Sequence, residues 1–266
     1  MAKSIKFEDA ISSRFQNFKK NLRRYIKYSN QDATHDVRVA FRRFQCAYSI
    51  LPDRRKTEAS ENYFNKAQSF FQLNSSIRDL DITYEKLVEL DQEYAEKVSS
   101  KLNSIRNENL KKSLEIAHTL DQMNFLLNPG QTHVRKNKFR SKINSRVDKF
   151  LENKDIVLNN ETATVKLHEM RKNAKKLIYL LELIAGESNN ADKSHLKRFQ
   201  RLSGDLHDSD VVLTFLQTQP VREENPNCLE VQQETIRHHQ YLELVDYLNL
   251  RYWSTLHNLG ARTSID

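Results

Sequence analysis

A segment that occurs twice, in copies 133 residues apart, constrains the fold of this chain more than any other feature of the sequence. The first copy, residues 35–51, reads HDVRVAFRRFQCAYSIL, and the second, residues 168–184, reads HEMRKNAKKLIYLLELI. When each copy is wound as a helix at about 100° per residue, its apolar side chains gather on one face. The two copies therefore predict two similar amphipathic helices in two related halves of the chain.

A stripe of basic residues runs along each of these two helices, on the face opposite the apolar face. The apolar positions are Val37, Phe41, Phe44, Tyr48 and Leu51 in the first copy, and Met170, Ala174, Leu177, Leu181 and Ile184 in the second. The first stripe is His35, Arg38 and Arg42, and the second stripe is His168, Arg171 and Lys175. Most amphipathic helices have a solvated charged face. A solvated face does not require one residue order at one spacing twice, so we interpret the stripes as contacts for a shared anionic ligand.

Composition favours an all-α protein. The 266 residues include only four Gly and four Pro, and these fall between periodic stretches, with Gly204 expected to mark a bend. No window alternates apolar and polar residues as a strand would. The net charge of +8 is unevenly distributed along the chain, which predicts a basic surface and a polyanionic partner.

The two halves are predicted to be residues 1–129 and 130–266, because Asn128-Pro129-Gly130 is the best candidate boundary. The first helix of each half repeats a cation, Arg14 and Arg146, at the edge of its apolar face. Each arginine either extends its stem over the core or turns its head group into a groove between helices. The third helix is expected at residues 55–73 and again at 192–204, where the second copy adds Lys197 and Arg201.

An Asp-x-Asp motif follows each third helix, at Asp79 to Asp81 and at Asp208 to Asp210. Two carboxylates at this spacing are expected to cap the start of a further helix and to interact with its dipole. Asp79 and Asp208 are alternatively second-layer acceptors that hold basic side chains of the stripes in place. A catalytic pair of acids is a weaker interpretation, since the sequence shows no nucleophile or base near them.

The cysteine content and hydropathy predict a cytoplasmic protein. Two cysteines are too few for a disulfide scaffold, and we interpret them as reduced thiols. The sequence shows no signal peptide and no apolar run near 18 residues, so neither export nor a membrane span is expected.

The two motif sets together resemble the CHAD family, whose name refers to a histidine-containing α-helical domain. In the first set, His35-x-x-Arg38 and the basic pair Arg42-Arg43 precede Arg78-Asp79-Leu80-Asp81. The second set comprises His168, Arg171, Lys175, Tyr179 and Glu182, followed by LKRFQRLSGDLHDSD from Leu196. The resemblance covers essentially residues 1–266, as a single CHAD-like domain. Family members often have another Arg where this chain has Gln45 and Ile178.

The resemblance implies two helical bundles of four or more helices each, which are related by a pseudo-twofold axis and share a basic groove or channel. It further implies non-enzymatic binding of inorganic polyphosphate, with possible delivery of proteins to polyphosphate granules. No cofactor is expected. The residues expected to face the ligand are His35, Arg38, Arg42, Arg43, His168, Arg171, Lys172, Lys175, Lys176, Arg14, Arg146, Lys197 and Arg201. The residues expected to support them are Asp79, Asp208 and Tyr179.

Two other classes of function remain open at this level. His35 and His168 with Asp79 and Asp208 would make a two-His, two-carboxylate metal cluster for phosphate processing. The cations beside each histidine argue against it, because they repel a divalent metal. The basic helices would also suit non-specific binding to nucleic acid or to an acidic membrane surface. No base-reading motif accompanies them.

Overall fold

The computed structural model describes residues 7–129, 136–185, 191–218 and 226–259, and helices form nearly all the regular structure within these ranges. One isolated β-bridge joins Lys56 and Leu127. The α-helices are α1 Phe7–Tyr28, α2 Gln31–Tyr48, α3 Glu58–Leu90, α4 Gln92–Gln122, α5 Lys136–Asn159, α6 Thr164–Ala185, α7 Ala191–Gln217 and α8 Pro226–Leu248. Two 3-10 helices span Asp53–Arg55 and Arg251–Asn258. The predicted all-α class is confirmed.

The chain divides into two compact units. The first unit comprises residues 1–85 and 93–134, and the second unit comprises residues 86–92 and 135–266. The pseudo-twofold relation and the groove shared by two halves stay predictions. None of the described helices is long and apolar enough to cross a membrane.

Aromatic rings fill the core of the first unit. Helix α1 packs along α2, and the rings of Phe18 and Phe44 stack with their centroids 5.9 Å apart. Phe41 reaches Phe71 of α3 at 5.2 Å. The apolar positions predicted for the first copy are all buried: Val37, Phe41, Phe44, Tyr48 and Leu51. The periodicity of α2 therefore predicted its core face correctly.

The second unit buries the equivalent face. Helix α6 lies between α5 and α7, and α8 packs on α7. Phe150 of α5 and Phe199 of α7 meet edge to face at 4.9 Å, and Trp253 stacks on Phe150. The predicted apolar positions Met170, Ala174, Leu177 and Leu181 are buried, whereas the side chain of Ile184 lies outside the described residues.

The expectation that the Asp-x-Asp motifs cap helices is wrong, because α3 and α7 run through them without a break. Both motifs therefore lie in helix interiors. Polar residues just before the first motif do not end α3, since their side chains bond to carbonyls one turn back. Asn74 Nδ2 donates to Phe70 O at 3.0 Å, and Ser75 Oγ donates to Phe71 O at 2.9 Å.

The second aspartate of each motif instead forms an ion pair with the fourth helix of its unit. Arg106 Nε of α4 donates to Asp81 Oδ1 at 2.7 Å, and Arg237 Nε of α8 donates to Asp210 Oδ1 at 2.6 Å. Arg237 also donates to Glu161 Oε1 and to the Glu161 backbone oxygen, both at 3.0 Å. These aspartates therefore join the third and fourth helices.

Gly204 does not mark the expected bend, because α7 continues through it. A β-carbon placed there would meet Arg171 Nη2 at 3.8 Å, an ordinary van der Waals distance. Because glycine in a helix interior costs about 0.5–1 kcal/mol relative to alanine, we expect Gly204→Ala to stabilise the protein by about that amount. Urea unfolding measures this change. A destabilised variant would show that Arg171 cannot accommodate the methyl group.

Candidate anion-binding site

The first stripe lies along the edge of α2 that packs against α3. The guanidinium carbons of Arg38 and Arg42 lie 5.7 and 5.0 Å from the ring centroid of Phe71, at the same face of α3. His35, one turn nearer the helix start, is exposed, with Nδ1 3.4 Å from Asp36 Oδ1. The stripe is thus a row of one exposed imidazole and two half-buried guanidinium groups.

The predicted position of the first stripe, on a face opposite the apolar one, needs correction. Cys46, which follows Arg42 by one turn on the same side of α2, is buried, so this side is solvated at His35 but covered toward the end of the helix. The apolar arc is wider than periodicity suggested because α1 and α3 both contact α2. Cation–π contacts with Phe71 hold the two guanidinium groups side by side, which lowers the ordering cost of binding an anion.

The second stripe has the same location in its own unit, at the border between α6 and α7. The rings of His168 and His207 stack with their centroids 5.5 Å apart. Arg171 reaches α7 at Gly204, where its Nη2 lies 3.8 Å from the position that a β-carbon would take. Lys175 is only 8% exposed, so its stem is buried where the sequence predicted an outward-facing cation. Both stripes therefore lie between the second and third helices of their units.

The pKa of His168 reflects its surroundings in the second stripe. Desolvation lowers the pKa of His168 from 6.5 to about 4, and the neighbouring charges of Lys172, His207, Arg171 and Lys175 contribute in the same direction. The imidazole is therefore neutral at pH 7. Desolvation is the largest cause of this shift, and the neighbouring cations add to it.

The other predicted ligand-facing residues are spread over both units. Lys172, Lys176, Lys197 and Arg201 are exposed, and Arg14 and Arg43 are half-buried. Arg146 Nη1 donates to Asn173 Oδ1 at 3.3 Å, so its head group turns toward α6 and is not simply extended over the core. Lys172 and Lys176 line a groove between α5 and α6, and Lys172 also lines a cavity between α6 and α7. Their contact with a ligand stays a prediction.

One of the predicted supporting residues, Asp208, is connected to the second stripe through His207. Asp208 Oδ1 lies 3.3 Å from Nδ1 of His207, whose ring stacks on His168. Asp79 and Tyr179 are half-buried in α3 and α6. A role for these three residues in holding the stripes stays a prediction.

Sequence reasoning missed several residues near the second stripe. His207 and Asp210 of α7 line a cavity of about 420 Å³ with His168, Glu169 and Lys172 of α6. Asp210 belongs to the second Asp-x-Asp motif and His207 directly precedes it, but the motif was interpreted as a helix cap. The described residues contain no group of three or more His, Cys, Asp or Glu side chains arranged to hold a metal ion.

Comparisons with known proteins agree on the architecture. The chain superimposes on PptA from Streptomyces chartreusis with a TM-score of 0.64 at 12% identity, covering 94% of this chain and 98% of that one. It superimposes on the crystal structure of the CHAD domain from the plant Ricinus communis with a TM-score of 0.58 at 15% identity, covering 98% and 92%. A search of curated proteins found no match. The family model of the CHAD domain matches residues 9–217, and the chain therefore belongs to the CHAD family.

Proposed function

We propose that this protein binds inorganic polyphosphate without chemical conversion, through the first and second stripes. The observation that supports this most strongly is the equivalent position of the stripes, each between the second and third helices of its unit. The chain's family is associated with polyphosphate, which supports polyphosphate as the anion. Recruitment to polyphosphate granules in the cytoplasm is a further part of the proposal.

The side chains of the stripes suit a chain of phosphates. A guanidinium group offers a planar fork that bonds two phosphate oxygens, and an ammonium group acts as a point charge. A histidine adds a donor once a nearby anion makes its protonated form favourable. Such binding requires no nucleophile, so we expect purified protein to release no phosphate from polyphosphate or nucleotides. Metal-dependent release that disappears in the His35→Ala and His168→Ala variants would contradict this.

Polyphosphate should bind more tightly than single-stranded DNA of equal total charge. Phosphates are closer together along polyphosphate than along DNA, so more of them reach the stripes at once. The affinity should fall by roughly 10-fold or more between about 50 mM and about 200 mM salt, because bound counterions are released. Fluorescence anisotropy competition measures both quantities. Equal affinity for DNA, or an affinity independent of salt, would contradict the proposal.

Polyphosphate binding should raise the pKa of His168 from its value of about 4. A bound polyanion offsets the part of the shift that comes from the neighbouring cations, although not the larger part that comes from desolvation. Binding should therefore take up a proton and strengthen as pH falls from 7 toward 5. In the free protein, the stability of the fold changes with pH in the opposite direction to the binding affinity. The unfolded chain binds this proton more readily, so stability is lost as pH falls from 6.5 to about 4.

NMR titration of the His168 ring protons, with and without polyphosphate, measures the pKa change directly. The His168→Asn variant should bind with a weaker dependence on pH and serves as the control. An unchanged His168 pKa in saturating polyphosphate would show that the ligand does not reach the second stripe.

A further inference from the structure

A groove between α5 and α6 of the second unit is distinct from the second stripe, which lies on the α7 side of α6. It has a volume of about 410 Å³. Its lining comprises Arg146, Lys149, Glu152, Asn153, Ile156, Lys166, Glu169, Lys172, Asn173 and Lys176. We propose that this groove is a separate site for a compact phosphate anion such as pyrophosphate. This site would extend the proposed function, and it rests on that function only in the comparison of pyrophosphate with long-chain polyphosphate.

The charge of the groove favours an anion. Five cations and two carboxylates line it, a net charge of +3. Glu169 is already engaged, with Oε2 3.4 Å from both Asn153 Nδ2 and Lys166 Nζ. Lys149 and Lys172 form no ion pair with an acidic residue in the described part of the chain. The groove therefore retains cations that an incoming anion can bind.

Polar groups that orient an anion are also present. Arg146 Nη1 donates to Asn173 Oδ1 across the two helices, which brings its guanidinium group to the groove. Asn173 is only 7% exposed, so this contact is sheltered from water. An arginine held in place presents its remaining N–H groups with little further loss of side-chain freedom.

In the first unit α1 and α2 correspond to α5 and α6, but they do not repeat three lysines that line this groove. Asn17, Ala33 and Val39 occupy the positions of Lys149, Lys166 and Lys172 in the repeat. Ala33 is fully buried against the helix pair. Asp36, at the position of Glu169, forms an ion pair with Arg24 of α1. The groove therefore belongs to the second unit and is not part of the repeated stripes.

The size and charge pattern of the groove indicate a compact ligand. The lining residues of α6 span about ten positions, which is about 15 Å of helix. Glu152 and Glu169 interrupt the row of cations within that length. An extended polyanion would have to pass both carboxylates, whereas a diphosphate can lie between the cations and avoid them.

Isothermal titration calorimetry of the full chain with pyrophosphate tests the site, using the double variant Lys149→Ala/Lys166→Ala. We expect the parent to bind pyrophosphate at one site and the variant to bind about 10-fold more weakly, because two charge-assisted contacts are lost. The matched control is Lys101→Ala/Lys111→Ala, two exposed lysines of α4 with the same loss of charge. The Lys149→Arg/Lys166→Arg variant keeps both charges and should bind pyrophosphate like the parent.

Long-chain polyphosphate separates this inference from the proposed function. The groove variant should keep its long-chain affinity within about threefold of the parent, since both stripes are intact. A parent that binds pyrophosphate but no polyphosphate would overturn the proposed function and leave the groove site standing. The groove site is overturned if the parent does not bind pyrophosphate, if the variant binds it like the control, or if the variant loses both ligands equally.

Discussion

Replacing Arg38 and Arg42 with Glu is expected to weaken binding of long-chain polyphosphate by about 100-fold, while tripolyphosphate binding changes far less. The reason is avidity. When one long chain contacts both stripes, its second contact is intramolecular, and loss of one stripe removes that gain. Repulsion from the introduced carboxylates adds to the loss. Affinity measured against chain length for the parent and the variant gives the result.

The second unit provides the complementary experiment. Because Lys175 is buried, we would use Arg171→Glu with Lys175→Met, which avoids a buried negative charge. The matched control is Lys101→Glu/Lys111→Glu on α4, which changes net charge as much as Arg38→Glu/Arg42→Glu does. If the parent shows no dependence on chain length, or either stripe variant binds like the control, the two stripes do not act on one polyphosphate chain. Circular dichroism confirms that each variant is folded.

Arg106→Met is expected to lower the free energy of unfolding by about 3–5 kcal/mol, the largest stability effect of any substitution considered. The carboxylate of Asp81 is 4% exposed and depends on the 2.7 Å contact with Arg106 Nε. Its other oxygen, Oδ2, is buried and has no hydrogen-bond partner in the described part of the chain. Removing Arg106 therefore leaves a buried charge that water cannot reach. Urea unfolding measures the loss.

The double variant Arg106→Met/Asp81→Leu is the control for this pair. An apolar pair of similar volume should recover most of the lost stability, because the buried charge is gone with its partner. Polyphosphate affinity should be unchanged in the double variant, since neither residue belongs to a stripe. A single variant that loses less than about 1 kcal/mol would show that the Asp81 carboxylate is hydrated or paired otherwise.

Much of the architecture was predictable from sequence because it follows from local patterns. Apolar spacing placed Val37, Phe41 and Phe44 on one face of α2, and all three are buried. The repeated order of histidine and cations located both stripes on the correct helices. The cap interpretation of the Asp-x-Asp motifs was wrong because α3 and α7 do not end before the motifs. Asn74 returns its amide to the helix backbone, so α3 continues.

The sequence alone determined that the chain is all-α, that residues 35–48 and 168–184 are helical, and which positions of α2 form the core, since helical periodicity is a local property. The tertiary structure decided which neighbouring helix packs against each edge of a given helix. Phe71 is 33 residues from Arg38 in the chain, yet its ring lies beneath the guanidinium group. The contacts of Asp81 with Arg106 and of Arg146 with Asn173 likewise join residues that are distant in the sequence. Which side chains meet across helices depends on how whole helices pack, and no spacing within one helix contains that information.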